Sequence, residues 1–328
     1  MLIGFFKHNR SVSIVFLPVS LIILWLYGFF HPVVPMTEHA APLYKLIVAG
    51  IENYPFLITL TSFIFILAEA FLINYIIEKN EIIDTVTYMP AMVYIVLMSL
   101  QPQMFPLHPI VIANLFLLLA LHMIMQTHRK EKAYSEAFDT GFFISLATLF
   151  YIPSIVFILI IWIGLIIIRP FVWREWVISF IGLILPWIFL IFYYFWNEKL
   201  DTLQYDVIYS TLAGFQKSFD TLRLSYTELI QICLLLLAAF LSSRRLLRDL
   251  SKGTVRTRNN LFLMIYFFIL GFISLFLAPS YSIAYLSFLS IPFSIFFSSY
   301  LLFVKKQWFA EIFFLLLIIS VFLNQFIH

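Results

Sequence analysis

Long uninterrupted apolar runs, separated by short polar or basic stretches, set the pattern of this chain. Nine of them fall at about residues 11–30, 55–77, 85–101, 107–126, 176–196, 228–243, 260–278, 282–303 and 308–326. Each is near the ~20 residues that an α-helix needs to cross a ~30 Å hydrocarbon core. None alternates with period 2 over ~10 residues, as a transmembrane barrel strand does. Backbone groups in lipid have no water to bond, which leaves the helix as the spanning structure. The first run follows Lys7 and Arg10, as in a signal peptide. It is long, however, and His31-Pro32 follows it in place of a small-x-small cleavage site, so it reads as an uncleaved span.

The stretch 141–168 does not fit this scheme, because it is too long for one span and carries Tyr151-Ile152-Pro153-Ser154 near its middle. It is either one kinked, tilted helix or a hairpin of two short helices turning at Pro153. A proline inside a helix removes a hydrogen bond and clashes with the preceding turn. Cytoplasmic loops carry an excess of Lys and Arg. A single crossing divides the cations almost evenly between the two sides. The hairpin leaves only Lys45, Lys199, Lys217 and Arg223 of the 20 cations outside. The charge rule therefore favours the hairpin, with the N-terminus cytoplasmic. The expected fold is an all-α polytopic bundle of about nine full spans plus this broken-helix hairpin. Residues 1–328 form a single membrane domain with outer loops 31–54 and 197–227 and basic inner loops 127–140 and 244–259.

Composition agrees with the pattern. Of 328 residues, 63% are apolar and 11% charged, against about a quarter charged in a soluble domain. The single cysteine, Cys233, cannot close an intrachain disulfide. A net charge of +3, made mostly of topology signals, gives no reason to expect nucleic acid. The basic run SSRRLLRDLSKGTVRTRNN suits anionic headgroups on the cytoplasmic side, so membrane lipids are the expected partners.

Chemistry has few candidates. Glu38, His39 and Glu52 lie in the first outer loop, where Leu43 to Ile51 has the apolar spacing of a helix lying on the membrane surface. An acid there stands at the water interface, and burial in a cleft would raise its pKa toward that of a general base. Glu38 is equally readable as an ordinary solvated carboxylate. Glu69 sits deep in an apolar run, where an ionisable group faces a cavity or a partner; Asn114 and His122 are candidate partners. In RPFVWREW, Arg169 and Arg174 interleave with aromatics, which fits a headgroup-level anchor or a grip on a lipid phosphate. The second outer loop contains an amphipathic stretch and the cations Lys217 and Arg223. No Walker loop, GxGxxG, HExxH, CxxC pair or GxSxG is present, so no cofactor is indicated, although a divalent metal would be compatible.

The first-loop acid Glu38, the 43–51 surface helix and the 141–168 hairpin together resemble the GT-C superfamily of membrane glycosyltransferases. Many members of that superfamily carry an Asp, often an acidic pair, where this chain has Glu38-His39. The resemblance implies an inner-membrane enzyme that takes a sugar from a polyprenyl-phosphate carrier at the outer face. It casts Glu38, with His39, as base or metal ligand, Lys217 and Arg223 at the carrier phosphate, and Glu69 in the wall of the cleft. Glu52, Arg169 and Arg174 are further candidate contacts. The whole chain is also similar to a multi-pass membrane family of Bacteroidota with a comparable R-P-F-x-W-R-E-W stretch, which brings no activity with it. Two other readings stand beside the enzyme. One is a transporter or lipid flippase built around Glu69, and the other is a non-catalytic subunit of an envelope assembly whose 39 phenylalanines serve lateral contacts. Oligomeric state is open.

Overall fold

A computed structural model describes residues 4, 6, 10–35, 40–128, 130–215, 225–278 and 283–327, and every regular element among them is helical. The chain runs back and forth between two ends of one bundle. Helix α1 (Arg10–Leu24) is continued past a break at Trp25 by a short helix, Leu26–Phe30. The surface helix α2 (Pro42–Ala49) follows, then α3 (Pro55–Lys79), α4 (Met89–Ser99) and α5 (Pro109–Gln126). Proline occupies the first turn of α2, α3, α4 and α5, where its missing N–H would be unpaired anyway. Every residue of α4 is buried, as expected of a helix that is apolar on all sides.

Side-chain bonds between helix ends fix the direction of each pass. At one end, Arg256 donates to the Lys79 carbonyl (3.1 Å) and Asn259 to the Ile167 carbonyl (3.1 Å); we term this the arginine end. At the other, the loop end, Gln101 donates to Gln231 (2.9 Å), Asn324 to the Leu100 carbonyl (2.9 Å) and Gln325 to the Leu24 carbonyl (2.8 Å).

The middle of the chain doubles back. Helix α6 starts at Tyr134, earlier than the expected 141, and ends at Phe150. Its polar first turns had read as loop because Ser135, Glu136 and Asp139 interrupt the hydropathy. Tyr151 is extended (φ −148°, ψ 102°), and Pro153 lies in the first turn of a 3₁₀ segment, Ile152–Phe157. That placement leaves no helix hydrogen bond for the proline to break. Helix α7 (Ile158–Ile168) then returns to the arginine end. There Arg169 donates to the carbonyls of Thr127 (3.2 Å) and Glu131 (3.0 Å) and pairs with Glu175 (3.1 Å). Glu175 also accepts from the Ala133 amide (3.1 Å). Both ends of the segment therefore meet at the same clamp. With 17 residues and a rise of ~1.5 Å per residue, α6 is about 25 Å long, nearer full bilayer depth than a half-depth dip.

Helix α8 (Trp173–Trp196) runs parallel to α6, and two reciprocal glycines set the distance. A Cβ on Gly141 would stand 2.2 Å from the Ser179 carbonyl oxygen, and one on Gly182 would stand 2.3 Å from that of Phe138. The outward face of α8 exposes Phe180, Ile184, Ile188, Phe192 and Phe195, a stripe at helical spacing suited to lipid. Helix α9 (Leu200–Phe215) lies at the loop end, followed by α10 (Tyr226–Lys252), α11 (Val255–Leu277), a 3₁₀ segment (Ile283–Leu289), α12 (Ser290–Phe303) and α13 (Gln307–Ile327). The basic stretch 244–259 is mostly helical rather than a loop, since only Gly253 and Thr254 separate α10 from α11. The Arg245–Asp249 pair, one turn apart, supports that extension.

Among the described residues seven helices are long and apolar enough to cross a membrane: Pro55–Lys79, Pro109–Gln126, Trp173–Trp196, Tyr226–Lys252, Val255–Leu277, Ala284–Phe303 and Gln307–Gln325. Val12–Leu24, Met89–Ser99 and Ile152–Ile168 are shorter apolar helices. The expected nine full-length spans are thus not reached by length alone. The break at Trp25 and the late start of α4 at Met89 shorten two of them.

The α6–α8 contact leads to a prediction. Gly141→Val and Gly182→Val should each lower stability by at least about 1–3 kcal/mol, because backbone carbonyls block the added Cβ. Gly50→Ala, whose Cβ meets nothing closer than 3.4 Å, should be nearly silent. Thermal melting of the detergent-purified protein distinguishes the cases.

Candidate functional site

Glu69 lies midway along α3, fully buried. Its Oε2 accepts from the Tyr94 hydroxyl of α4 at 2.7 Å. Asn114 of α5 donates to the Ser287 carbonyl (3.3 Å) and stands 3.5 Å from the Tyr94 hydroxyl. Glu69 Oε1 and Asn114 Oδ1 accept no hydrogen bond. Sequence reasoning paired Glu69 with Asn114 and His122. The structure instead places Tyr94 between Glu69 and Asn114, and sets the His122 ring against Tyr75 at 5.4 Å. Tyr94 was overlooked because a lone tyrosine in an apolar helix reads as packing; its hydroxyl was the available signal.

A second polar layer lies at the loop end. Tyr44 of α2 is buried and donates to the Leu107 carbonyl at 2.8 Å. Burial raises the pKa of its phenol, which keeps it a donor. Leu107 has a φ of 21°, in the left-handed region, a conformation that persists only when its surroundings hold it. His108, in the turn ahead of α5, caps that helix by accepting the Ile110 amide on Nδ1 (3.3 Å). Its ring meets Tyr285 at 5.8 Å, and Tyr285 stacks on Tyr151 at 6.0 Å. Burial lowers the His108 pKa from 6.5 to about 4. Helices α2 and α9 touch here, through a 2.7 Å ion pair between Lys45 and Asp206.

The other candidates are distributed as follows. Glu52 is exposed just beyond α2. Arg169 is nearly buried and bonded to Glu175 and two carbonyls, which makes it a clamp between chain segments. Arg174 is exposed with its guanidinium over the Trp173 ring at 5.7 Å, while Trp176 stacks on Trp162 at 6.0 Å, an arrangement suited to an interfacial anchor. Glu38, His39, Lys217 and Arg223 lie outside the described residues. Among the described residues no three His, Cys, Asp or Glu side chains converge as a metal-ligand set.

Both layers are open to test. Tyr94→Phe removes the donor to a buried carboxyl and should cost about 1–3 kcal/mol; Glu69→Gln retains an acceptor for Tyr94 and should cost less. Melting temperatures in detergent measure both. His108 titrates near 6.5 when unfolded and near 4 when folded, so the unfolded chain binds more protons between these values. Stability should therefore fall as pH drops from about 6.5 toward 4. His108→Asn, which can still cap the helix, should flatten that part of the pH–melting profile.

No curated protein and no solved structure matches the chain at significance. A family of unknown function, DUF6427, matches residues 40–328. With most of its length covered, the chain belongs to the DUF6427 family.

Proposed function

We propose that this protein works in the bacterial inner membrane as a GT-C-like transferase, moving a sugar from a polyprenyl-phosphate carrier at its loop end. The observation that supports this reading is the Lys45–Asp206 ion pair, which joins the two long loops over one end of the bundle. A transferase of this class needs its acid and its phosphate-binding cations on one side of the membrane. Glu38 and His39 precede α2 by a few residues in the sequence and Lys217 and Arg223 follow α9, and α2 and α9 themselves share that end. The buried Tyr44–Leu107 bond seats α2 on the turn before α5 and gives the first loop a fixed floor. In this scheme Glu38 acts as base, or as ligand to a divalent metal, and Lys217 and Arg223 meet the carrier phosphate. The loop end faces outward and the arginine end faces the cytoplasm.

A transport reading draws on a different observation, the unmet oxygens of Glu69 and Asn114 deep in the bundle. Fixed acceptors at that depth are what a proton- or cation-coupled carrier uses. Tight packing around Glu69 favours the transferase.

Three measurements decide. Reporters fused after Lys252 and after Lys199 should report cytoplasmic and external locations respectively; the reverse would remove the proposed outer site. Purified protein should transfer sugar from a polyprenyl-phosphate donor, with turnover reduced ~10²-fold or more by Glu38→Gln, the range expected for loss of a general base. Glu69→Gln should retain turnover under the transferase reading and lose coupled uptake in proteoliposomes under the transport reading.

A further inference from the structure

At the arginine end the chain leaves α3 through an unusual corner. Asn80 caps the helix and Glu81 follows with φ 51°, in the left-handed region where glycine is the usual residue. The Glu81 amide donates to the Glu78 carbonyl (3.3 Å) and that of Ile82 to the Ile77 carbonyl (3.1 Å), which locks the reversal. Between this corner and the start of α4 lies a cavity of about 290 Å³. Three carboxylates line it, Glu78, Glu81 and Asp84, together with Asn74 and Thr85, and among the described residues no Lys, Arg or His lines it.

The carboxylates of this lining are acceptors, and two further polar atoms beside them lack a partner. Asn74 is 4% exposed, yet its Oδ1 has no partner, and the Thr85 hydroxyl has none either. The C-terminal end of α3 adds the negative pole of its helix dipole. Lys79, Arg256 and Arg245, on neighbouring elements, are engaged elsewhere. Lys79 lies over the Tyr75 ring at 5.3 Å, Arg256 donates to the Lys79 carbonyl and Asn80, and Arg245 pairs with Asp249. Among the described residues neither Glu81 nor Asp84 has an ion-pair partner.

We propose that this cavity is a binding site for a primary ammonium group, held by Asn74 Oδ1 and the Glu81 and Asp84 carboxylates. An ammonium offers three donors and no acceptor, the complement of this lining. The carboxylates do not converge as a metal-ligand set, and the volume approaches that of a small-molecule pocket rather than an ion site. Ile77, Ile83 and Val86 supply an apolar wall for the methylenes that carry such a group. Its source is either the ethanolamine headgroup of a phospholipid at this membrane surface or a free polyamine. This site is independent of the proposed transferase chemistry at the opposite end.

The test uses the full-length protein in detergent and in nanodiscs. Spermidine is titrated at constant ionic strength against a thermal-shift readout. Retained phosphatidylethanolamine is measured by native mass spectrometry from discs that also contain phosphatidylglycerol. The wild type should bind at least one probe. The Glu81→Gln/Asp84→Asn double variant, altered only at exposed positions, should bind it at least tenfold more weakly, and Asn74→Leu should weaken it similarly. Spermidine binding alone assigns a free amine, and phosphatidylethanolamine retention alone assigns the headgroup; either supports the proposal. Binding of neither probe by the wild type, equal binding by wild type and double variant, or an equal shift produced by sodium chloride or magnesium would overturn it.

Discussion

A buried guanidinium–carboxylate pair, Arg169 with Glu175, decides how the second half of this chain is laid out. Breaking such a pair leaves an uncompensated charge at a cost of several kcal/mol. Here Arg169 also holds two carbonyls from the 127–131 turn, and Glu175 holds the Ala133 amide. The clamp thus ties the start of α6, the end of α7 and the start of α8 to one point. A segment with both ends at one point must turn in between, and it turns at Tyr151–Pro153. Every later helix inherits its direction from that fact, including the placement of α9 at the same end as α2.

Directional polar contacts elsewhere complete a frame that dispersion forces alone would leave slippery. Helices in lipid gain little from hydrophobic association, so close backbone approach and interhelical hydrogen bonds carry specificity. Gly141 and Gly182 provide the approach between α6 and α8. Trp25 with Ser99, Gln101 with Gln231 and Thr227 with Asn324 provide the bonds near the loop end. Tyr94 provides one at mid-depth, where a neutral donor meets the carboxyl of Glu69. The same bundle therefore keeps polar groups in three places with different roles: a loop-end layer under two joined loops, a packed contact at mid-depth, and an acceptor-lined cavity at the arginine end.

Much of this was readable from residue order, and the misses have identifiable causes. Hydropathy located the apolar runs because lipid exposure and burial both favour the same residues. It misjudged ends wherever a helix continues into polar sequence, as α6 does before residue 141 and α10 does through Arg244, Arg245 and Arg248. Asn114 was expected as a partner of Glu69 and instead reaches Ser287 and the Tyr94 hydroxyl, because which residues face each other depends on helix rotation. Nothing in the stretch EIIDTVT, apart from its acids, announced a cavity, since a void is a property of how the surrounding elements fail to meet.

By itself the sequence determined that the chain is helical with several runs long and apolar enough to cross a membrane, because composition and run length suit so much apolar surface to lipid. Charge asymmetry also pointed to a turn within 141–168, since the energy of placing cations depends on the side they occupy and little on packing. Only the tertiary structure decided that Lys45 meets Asp206, that Tyr94 serves Glu69, that Arg169 is held within the fold, and that carboxylates gather around Asn74. Those outcomes depend on the rotation and approach of helices far apart in sequence, quantities that arise from packing and have no local signature.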